Sequence, residues 1–337
     1  MENLFLSRRH FMSQAAAAAM ALSTDVQAQP SGGARFVEGL EGLGVRAAVI
    51  LRAGEPIFSH GDVATPIAIA SIRKSLLSGL LGMAVTDRKL ALGTTLEQLG
   101  IEEDTPLTAS ERRATVADLL TARSGIYLPS EGASGAPERL PPRGSHLPGS
   151  YWFYNNWDFN VLGEIYQRVT GEGLFTALEH RLARPLGWQD FDPLRHARWS
   201  YDLRRSRYPA YRFEVSTRDL ARFGQLYLAR GRWGERQLIE SSWVDESTAS
   251  HANPGGWLFD GYGYLWPVMT VEKARRTALP SGIFSAIGAG GRFLTVIPAR
   301  QLVIALQPRE PAGGGLAPVS DHRNYLRLLK QVLARFS

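Results

Sequence analysis

The sequence contains no cysteine. This absence excludes disulfide bonds, thiol catalysis, cysteine-ligated metals and a lipoprotein anchor. It also contains no H-E-x-x-H pair, no phosphate-binding G-x-x-x-x-G-K loop and no G-x-S-x-G elbow, which are signatures of zinc peptidases, P-loop nucleotidases and α/β-hydrolases. We therefore expect chemistry that uses neither a metal nor a cofactor.

Blocks of basic residues are missing too, although the formal net charge is +6. Lysine occurs only four times, and the arginines are scattered, as at Arg204, Arg205 and Arg207. Such a pattern is typical of a solvated basic surface and not of a nucleic-acid-binding face.

The N-terminus resembles an export signal. Arg8 and Arg9 form a twin-arginine pattern, an apolar run from Ala15 to Leu22 follows, and small residues lead to Ala28. The apolar run is too short to span a bilayer, and no later stretch is long and apolar enough to do so. We predict a twin-arginine signal at residues 1–28, passage through the twin-arginine export machinery, and a periplasmic or secreted mature protein without a stable membrane anchor.

Residues 29–337 are predicted to form one α+β domain. Strands are expected near both ends of the chain and helices between them, so the N- and C-terminal segments should share one antiparallel sheet. The expected α/β part covers about 34–90 and 255–337, and the helical part covers about 91–254. Strands are predicted at the following ranges: 46–52, 56–60, 262–266, 284–287, 292–297 and 302–307.

The chain is organised around the stretch from Ala70 to Leu77. Ser71 and Lys74 are three residues apart, so a helix that begins at Ser71 places both side chains on one face. A serine hydroxyl needs a nearby base to become a nucleophile, and a shielded lysine amine can be that base. A bare S-x-x-K pair is a weak motif, and an apolar helix buried for structural reasons is the alternative.

Further motifs follow in order. A Thr115–Asp118 capping box opens a short helix, a long Gly-, Pro- and Ser-rich loop covers 129–149, and Tyr154-Asn155-Asn156 precedes another helix. Gly288-Ala289-Gly290-Gly291 stands before a predicted strand. Over about residues 46–304, this ordered set resembles the penicillin-recognising serine hydrolases, a family of β-lactamases and penicillin-binding proteins, and in particular its class C β-lactamase and esterase branch.

The resemblance implies roles for individual residues. Ser71 would be the nucleophile, and Lys74 would be its base or would keep the neighbouring phenol ionised. Tyr154 would move a proton between the serine and the leaving group, and Asn156 would bind Lys74 and a substrate amide or carbonyl. The backbone N–H groups of Ser71 and Ala289 would form the oxyanion hole.

The third motif of that family is altered here. Where relatives carry Lys-Thr-Gly or a variant with His, this chain has Ala286-Ile287-Gly288. Gly288 still permits close approach of a substrate to the backbone, but the cation and the hydroxyl that bind a substrate carboxylate are absent. Arg292 is the nearest cation along the chain, and its side chain is expected either to bind an acidic group or to point away.

Tryptophans and one histidine are further candidates for substrate binding. The tryptophans either line an apolar acyl pocket or pack in the core, and His146 either contacts substrate or is solvated. The tryptophans are Trp152, Trp157, Trp257 and Trp266.

The sequence therefore predicts a serine hydrolase that cleaves small ester or amide substrates through an acyl-enzyme. A true β-lactamase or D-Ala-D-Ala peptidase, and a non-catalytic periplasmic ligand-binding protein on the same fold, remain the alternatives.

Overall fold

The structure is a computed structural model that describes residues 32–132, 139–255, 258–310 and 315–336. The predicted export signal at 1–28 and Trp257 lie outside the described residues. None of the helices in these ranges combines the length and the apolar character needed to cross a bilayer.

The strands of the described residues are mostly short. They are β1 (Val45–Arg52), β2 (Glu55–Gly61), β3 (Ile67–Ala68), β4 (Ala197–Ser200), β5 (Ala210–Val215), β6 (Arg232–Trp233), β7 (Arg236–Gln237), β8 (Gly261–Tyr262), β9 (Pro267–Val268), β10 (Phe284–Gly288), β11 (Arg292–Ile297) and β12 (Leu302–Pro308).

The helices lie mainly between the two groups of longer strands. They are α1 (Gly32–Gly42), α2 (Ile72–Thr86), α3 (Val116–Leu120), α4 (Asn156–Thr170), α5 (Leu174–Ala177), which continues into a π-helical turn, α6 (Pro193–His196), α7 (Thr217–Leu228), α8 (Ser241–Ser247), α9 (Val271–Thr277) and α10 (His322–Phe336).

Seven strands form the main sheet, in the order β2-β1-β12-β11-β10-β9-β8, with antiparallel neighbours throughout. The N- and C-terminal parts of the chain meet at the neighbouring strands β1 and β12, where Ile50 pairs with Ile304 and Val49 with Ala305. This confirms the predicted α+β fold with one sheet built from both ends of the chain.

The main sheet separates two apolar layers. Alternation along β1 sends Val49 and Leu51 into a core shared with α2 and α7, whereas Ala48 and Ile50 face a second core shared with α1 and α10. Helix α2, which leads out of the functional site described below, packs in the first core.

Several parts of the fold differ from the sequence-based expectation. Helix α1 was not predicted; its Phe36 and Leu40, one turn apart, are buried on the second core. The predicted strand at 262–266 is instead a tight turn between β8 and β9, closed by the Gly263 N–H donating to the Trp266 carbonyl at 2.8 Å. The apolar residues there reflect a buried turn, and the small sheet β3-β5-β4 was missed because its strands are only two to six residues long.

Helix α2 is the predicted central buried helix. Its residues from Ile72 to Ala84 are all buried, which explains why it is apolar on every face. It contacts α4 on one side and the main sheet at β10 and β11 on the other. Ser71 occupies the N-cap position of α2 without making a side-chain capping hydrogen bond, so its hydroxyl is not used to stabilise the helix.

Candidate active site

A cleft of about 830 Å³ opens at the N-terminus of α2, and its size suits a small organic substrate. One wall carries residues from the start of α4 and from β5, and the opposite wall is the turn after β10. Six of the predicted site residues line it together: Ser71, Lys74, Tyr154, Asn156, Gly288 and Ala289.

Ser71 and Lys74 are in direct contact in this cleft. The Lys74 Nζ donates a hydrogen bond to the Ser71 Oγ at 2.9 Å. Lys74 is 2% exposed, and its Nζ lies 4.8 Å from the ring centroids of both Tyr154 and Phe159. A shielded amine against a serine hydroxyl is the arrangement expected of a nucleophile and its base.

The backbone before the nucleophile is strained. Ala70 has φ +47°, in the left-handed region that residues with a Cβ seldom adopt. Such a conformation costs of order 1 kcal/mol or more and persists only where the surroundings impose it. Here the Ile72 N–H donates to the Ile69 carbonyl at 3.2 Å, which closes a turn around Ala70 and Ser71.

Tyr154 and Asn156 are positioned by the start of α4. The Asn155 side chain accepts a hydrogen bond from the Trp157 N–H and donates to the Ile126 carbonyl, so this entry to the helix is fixed. Below it, Asp158 accepts from Ser124 at 2.6 Å. Complete burial raises the pKa of Asp158 well above its ordinary value, although hydrogen bonds from Ser124 and Asn155 oppose this effect.

The opposite wall is a glycine-rich turn at 288–291. A Cβ on Gly288 would lie 2.5 Å from the Ile69 carbonyl oxygen, and Gly290 and Gly291 have φ values of +85° and +98°. Glycine is therefore required to bring Ala289, which is exposed in the cleft, close to Ser71.

Arg292 supports this turn from behind and does not line the cleft. Its Nη1 donates to the Ala289 carbonyl at 2.7 Å, its Nε to the Ala68 carbonyl at 2.5 Å, and its Nη2 to Glu310 at 2.8 Å. All three guanidinium nitrogens are engaged in these contacts. The expectation that Arg292 binds an acidic substrate group is therefore corrected: β11 points its side chain away from the cleft.

Two predicted tryptophans are core residues. Trp157 is fully buried and donates to Glu103 at 2.9 Å, and Trp266 is fully buried against Phe223 and Tyr227. The interpretation that these two line an acyl pocket is wrong, since both side chains turn into the first core.

Neither Trp152 nor His146 lines the cleft. Trp152 packs its ring 5.7 Å from that of Tyr262 and borders a smaller neighbouring pocket. His146 stacks on Tyr151 with ring centroids 4.0 Å apart, and its Nδ1 is 3.0 Å from the Tyr127 hydroxyl. The structure therefore does not bring either residue to the substrate cleft.

Two cationic residues of the cleft were not among the predicted site residues. Arg73 and Arg212 both line it. Arg73 lies between Ser71 and Lys74 in the S-x-x-K motif. A charged residue on a helix predicted to be buried was the signal in the sequence that could have identified it. Arg212 gave no signal, because β5 was not predicted.

No cluster of three or more potential metal ligands occurs within the described ranges. The polar side chains that line the cleft beside the nucleophile include an amine, two phenols, an amide, two guanidinium groups, an imidazole and two further hydroxyls, from Lys74, Tyr154, Tyr262, Asn156, Arg73, Arg212, His322, Ser75 and Ser320.

Comparison with known proteins assigns the chain to a family. The family model described as Beta-lactamase matches residues 34–308, whereas none of the curated proteins compared with the chain matches it.

Three solved structures illustrate the shared fold. A putative 6-aminohexanoate-dimer hydrolase from Bacillus anthracis is 19% identical with a TM-score of 0.65, and covers 88% of this chain and 81% of its own. A β-lactamase from Mycobacterium bovis is 21% identical with a TM-score of 0.62, and the shares covered are 89% and 99%. EstCE1, a hydrolase with promiscuous acyltransferase activity, is 15% identical with a TM-score of 0.61, and the shares are 90% and 100%.

These three structures share the fold of this chain. Because the family model extends over most of the chain, from before β1 to the end of β12, the protein belongs to the β-lactamase family and has its hydrolase fold.

Proposed function

We propose that this protein is a serine hydrolase that cleaves ester or amide bonds through an acyl-enzyme on Ser71. The observation that supports the proposal most directly is the 2.9 Å hydrogen bond between the Lys74 Nζ and the Ser71 Oγ inside the cleft. The hydrolase fold and the solved relatives named as hydrolases agree with it.

The proposed acylation step uses residues on both walls. The Ser71 Oγ attacks the substrate carbonyl carbon while its proton passes to Lys74 or to the ionised phenol of Tyr154. The tetrahedral oxyanion is held by the backbone N–H groups of Ser71 and Ala289. It collapses as the bond to the leaving alcohol or amine breaks, and the same proton is delivered to that leaving group.

Deacylation repeats this chemistry with water. A water molecule gives one proton to the same base and attacks the acyl carbon, and the Ser71 Oγ leaves with a proton as the carboxylic acid is released. In this proposal Asn156, which begins α4 and lines the cleft, orients a substrate amide or carbonyl.

Labelling with a fluorophosphonate probe tests the nucleophile. We expect one adduct on Ser71 by peptide mass spectrometry, and no adduct in Ser71→Ala. Ser75→Ala is the matched control, because Ser75 lies on the same helix but donates to the Leu265 carbonyl at 2.8 Å and is buried. A folded wild-type protein that remains unlabelled would contradict the proposal.

A substrate panel separates the alternatives. It comprises p-nitrophenyl esters, linear amides, nitrocefin and a D-Ala-D-Ala peptide. The altered third motif, Ala286-Ile287-Gly288, favours turnover of the esters and amides over the β-lactam and the peptide. The same alteration is the reason to keep a non-catalytic binding protein as the second candidate, and ester turnover that disappears in Ser71→Ala would exclude it.

A further inference from the structure

The two N–H groups of the proposed oxyanion hole come from different sheets. Ser71 follows β3, which belongs to the three-stranded sheet, whereas Ala289 follows β10 in the main sheet. Among the described strands, no ladder joins these two sheets. Both donors have to lie about 2.7–3.1 Å from one developing oxyanion. Contacts other than strand pairing must therefore set the distance between them.

The Arg292 side chain connects the two segments. Its Nε donates to the carbonyl of Ala68, three positions before Ser71, at 2.5 Å, and its Nη1 donates to the carbonyl of Ala289 at 2.7 Å. Arg292 is 7% exposed, and its Nη2 donates to Glu310 at 2.8 Å, which balances its charge. A planar guanidinium has its donors in fixed directions, so these bonds fix the two carbonyls relative to each other.

The glycine-rich turn closes directly over this side chain. A Cβ on Gly290 would lie 2.7 Å from the Arg292 Nη1, and a Cβ on Gly288 would lie 3.0 Å from the Arg292 Cβ. The absence of side chains at both positions therefore lets the turn reach the guanidinium. The turn and Arg292 pack as one unit, so a change in this side chain would be expected to move Ala289.

The other end of this connection supports the strained backbone before the nucleophile. Ala68 lies two residues before Ala70, which has φ +47°. On the side of β5, the Ile69 N–H donates to the Phe213 carbonyl at 3.1 Å. The segment is therefore held by β5 and by Arg292. Such contacts are what a strained conformation needs in order to persist, and they fix the direction of the Ser71 N–H.

We propose that Arg292 is a positioning residue that sets the separation and direction of the two oxyanion-hole N–H groups, on Ser71 and Ala289. It acts through the carbonyls of Ala68 and Ala289 and does not touch the substrate. This inference rests on the proposed hydrolase function. The two donors are needed most when negative charge develops, so loss of Arg292 should lower kcat and have little effect on KM.

Replacement of the substrate carbonyl oxygen by sulfur tests the geometry of the hole. We would compare p-nitrophenyl butyrate with its thiono ester. Sulfur is larger and accepts weaker hydrogen bonds, so wild-type kcat/KM should favour the oxygen ester. Arg292→Met should lower kcat for the oxygen ester about 10- to 100-fold, with little change in KM, and should reduce the preference for oxygen. A lower kcat with an unchanged preference would overturn the proposal.

Two variants separate positioning from charge and from packing. Arg222→Met removes another buried guanidinium: Arg222 is 8% exposed, donates to the Leu186 carbonyl at 3.0 Å and does not line the cleft. It should lower stability and leave the preference for oxygen unchanged. Arg292→Lys keeps the charge but has one nitrogen in place of three, so it should behave like Arg292→Met. Full kcat in Arg292→Lys, or an equal loss of preference in Arg222→Met, would overturn the proposal.

Amide hydrogen exchange follows the turn without any turnover. Exchange in peptides that cover residues 288–291 should be faster in Arg292→Met and Arg292→Lys than in wild type or Arg222→Met, with folding of each variant checked by urea denaturation. Arg292→Lys serves if Arg292→Met does not fold. Faster exchange in a protein that fluorophosphonate does not label would support the positioning of the turn while the hydrolase function fails. Unchanged exchange and kinetics, with normal labelling, would overturn the role of Arg292 and leave the hydrolase function standing.

Discussion

Among single residues, Lys74 is the proposed base for Ser71. It is enclosed between the rings of Tyr154 and Phe159 and donates to Ser71. A lysine in this place is able to accept a proton once it is deprotonated, whereas an arginine stays protonated in proteins. Replacing Lys74 with arginine therefore keeps a positive charge at this position but removes a group that can act as a base. The substitution distinguishes the two roles.

We therefore predict that Lys74→Arg and Lys74→Ala both lower the rate of ester turnover by about a thousand-fold or more. Lys89→Ala, on an exposed lysine just past the other end of α2, should leave the rate unchanged. Stopped-flow measurement of p-nitrophenol release and the rate of fluorophosphonate labelling provide the comparison. Retention of most activity in Lys74→Arg would show that charge alone is sufficient.

Among the elements, α2 carries the proposed nucleophile and also packs closely against α8. Gly82 faces Trp243 of α8, and a Cβ there would lie within 2.4 Å of the Trp243 ring. The helix is held at this distance only because the position lacks a side chain. A glycine in the middle of a helix is otherwise unfavourable.

We predict that Gly82→Ala lowers the free energy of unfolding by about 1–3 kcal/mol, because the indole has to move. Gly39→Ala in α1 is the matched control: nothing lies within 4 Å of its Cβ, so a gain of about 0.5–1 kcal/mol is expected. Urea denaturation measures both. A stabilising Gly82→Ala would show that α2 and α8 are not tightly packed.

A second element prediction concerns the loop that precedes Tyr154. Its Arg143 donates through two nitrogens to the Glu111 carboxylate, at 2.9 and 2.6 Å, and the Glu111 side chain is 4% exposed. Burial opposes the charge of Glu111, but the hydrogen bonds from Arg143 and the Thr108 N–H outweigh it and lower the pKa of Glu111. This pair fastens the loop to the helical region.

Because that pKa is depressed on folding, the stabilisation is fully present above the ordinary value of 4.5 and is lost as the pH falls through the folded value. Glu111→Gln should therefore cost about 2 kcal/mol of unfolding free energy at pH 7, and progressively less below about pH 4.5. Glu102→Gln, whose pair with Arg112 is exposed, should cost less than about 1 kcal/mol. Urea titrations at several pH values test this, and a cost independent of pH would contradict it.

For the whole molecule, the sheet explains why both ends of the chain are needed at one site. Strand β1 pairs with β12, and β10 lies two strands beyond β12. The position of the turn at Ala289 relative to Ser71 therefore depends on the pairing of β1 with β12, of β12 with β11 and of β11 with β10. We expect these long-range contacts to form late and together in folding.

A further prediction concerns where the whole protein is located. We predict that the first 28 residues direct passage of the folded protein through the twin-arginine machinery. Replacing Arg8 and Arg9 with lysine should leave the protein in the cytoplasm at its full mass. The unaltered chain should be recovered from the periplasm or medium with the mass of a protein whose N-terminus is Gln29. Equal localisation of the two forms would refute the signal.

The sequence by itself determined the features that depend on local pattern. The apolar circumference of α2 predicted the buried helix that carries Ser71, and the Thr115 capping box predicted a short helix. The long apolar runs of β1, β11 and β12 predicted the sheet of the α+β fold. Strands of two residues and the buried turn at 263–266 have no such period, so they were missed or misplaced.

Only the tertiary structure decided where individual side chains point. Arg292 and Trp266 are close in sequence to the cleft-lining Ala289 and Leu265, yet one holds the turn from behind and the other fills the core. Arg73 faces the cleft because α2 packs against β5, a strand that sequence periodicity did not reveal. Direction and burial result from contacts between distant segments, and spacing along one chain does not encode them.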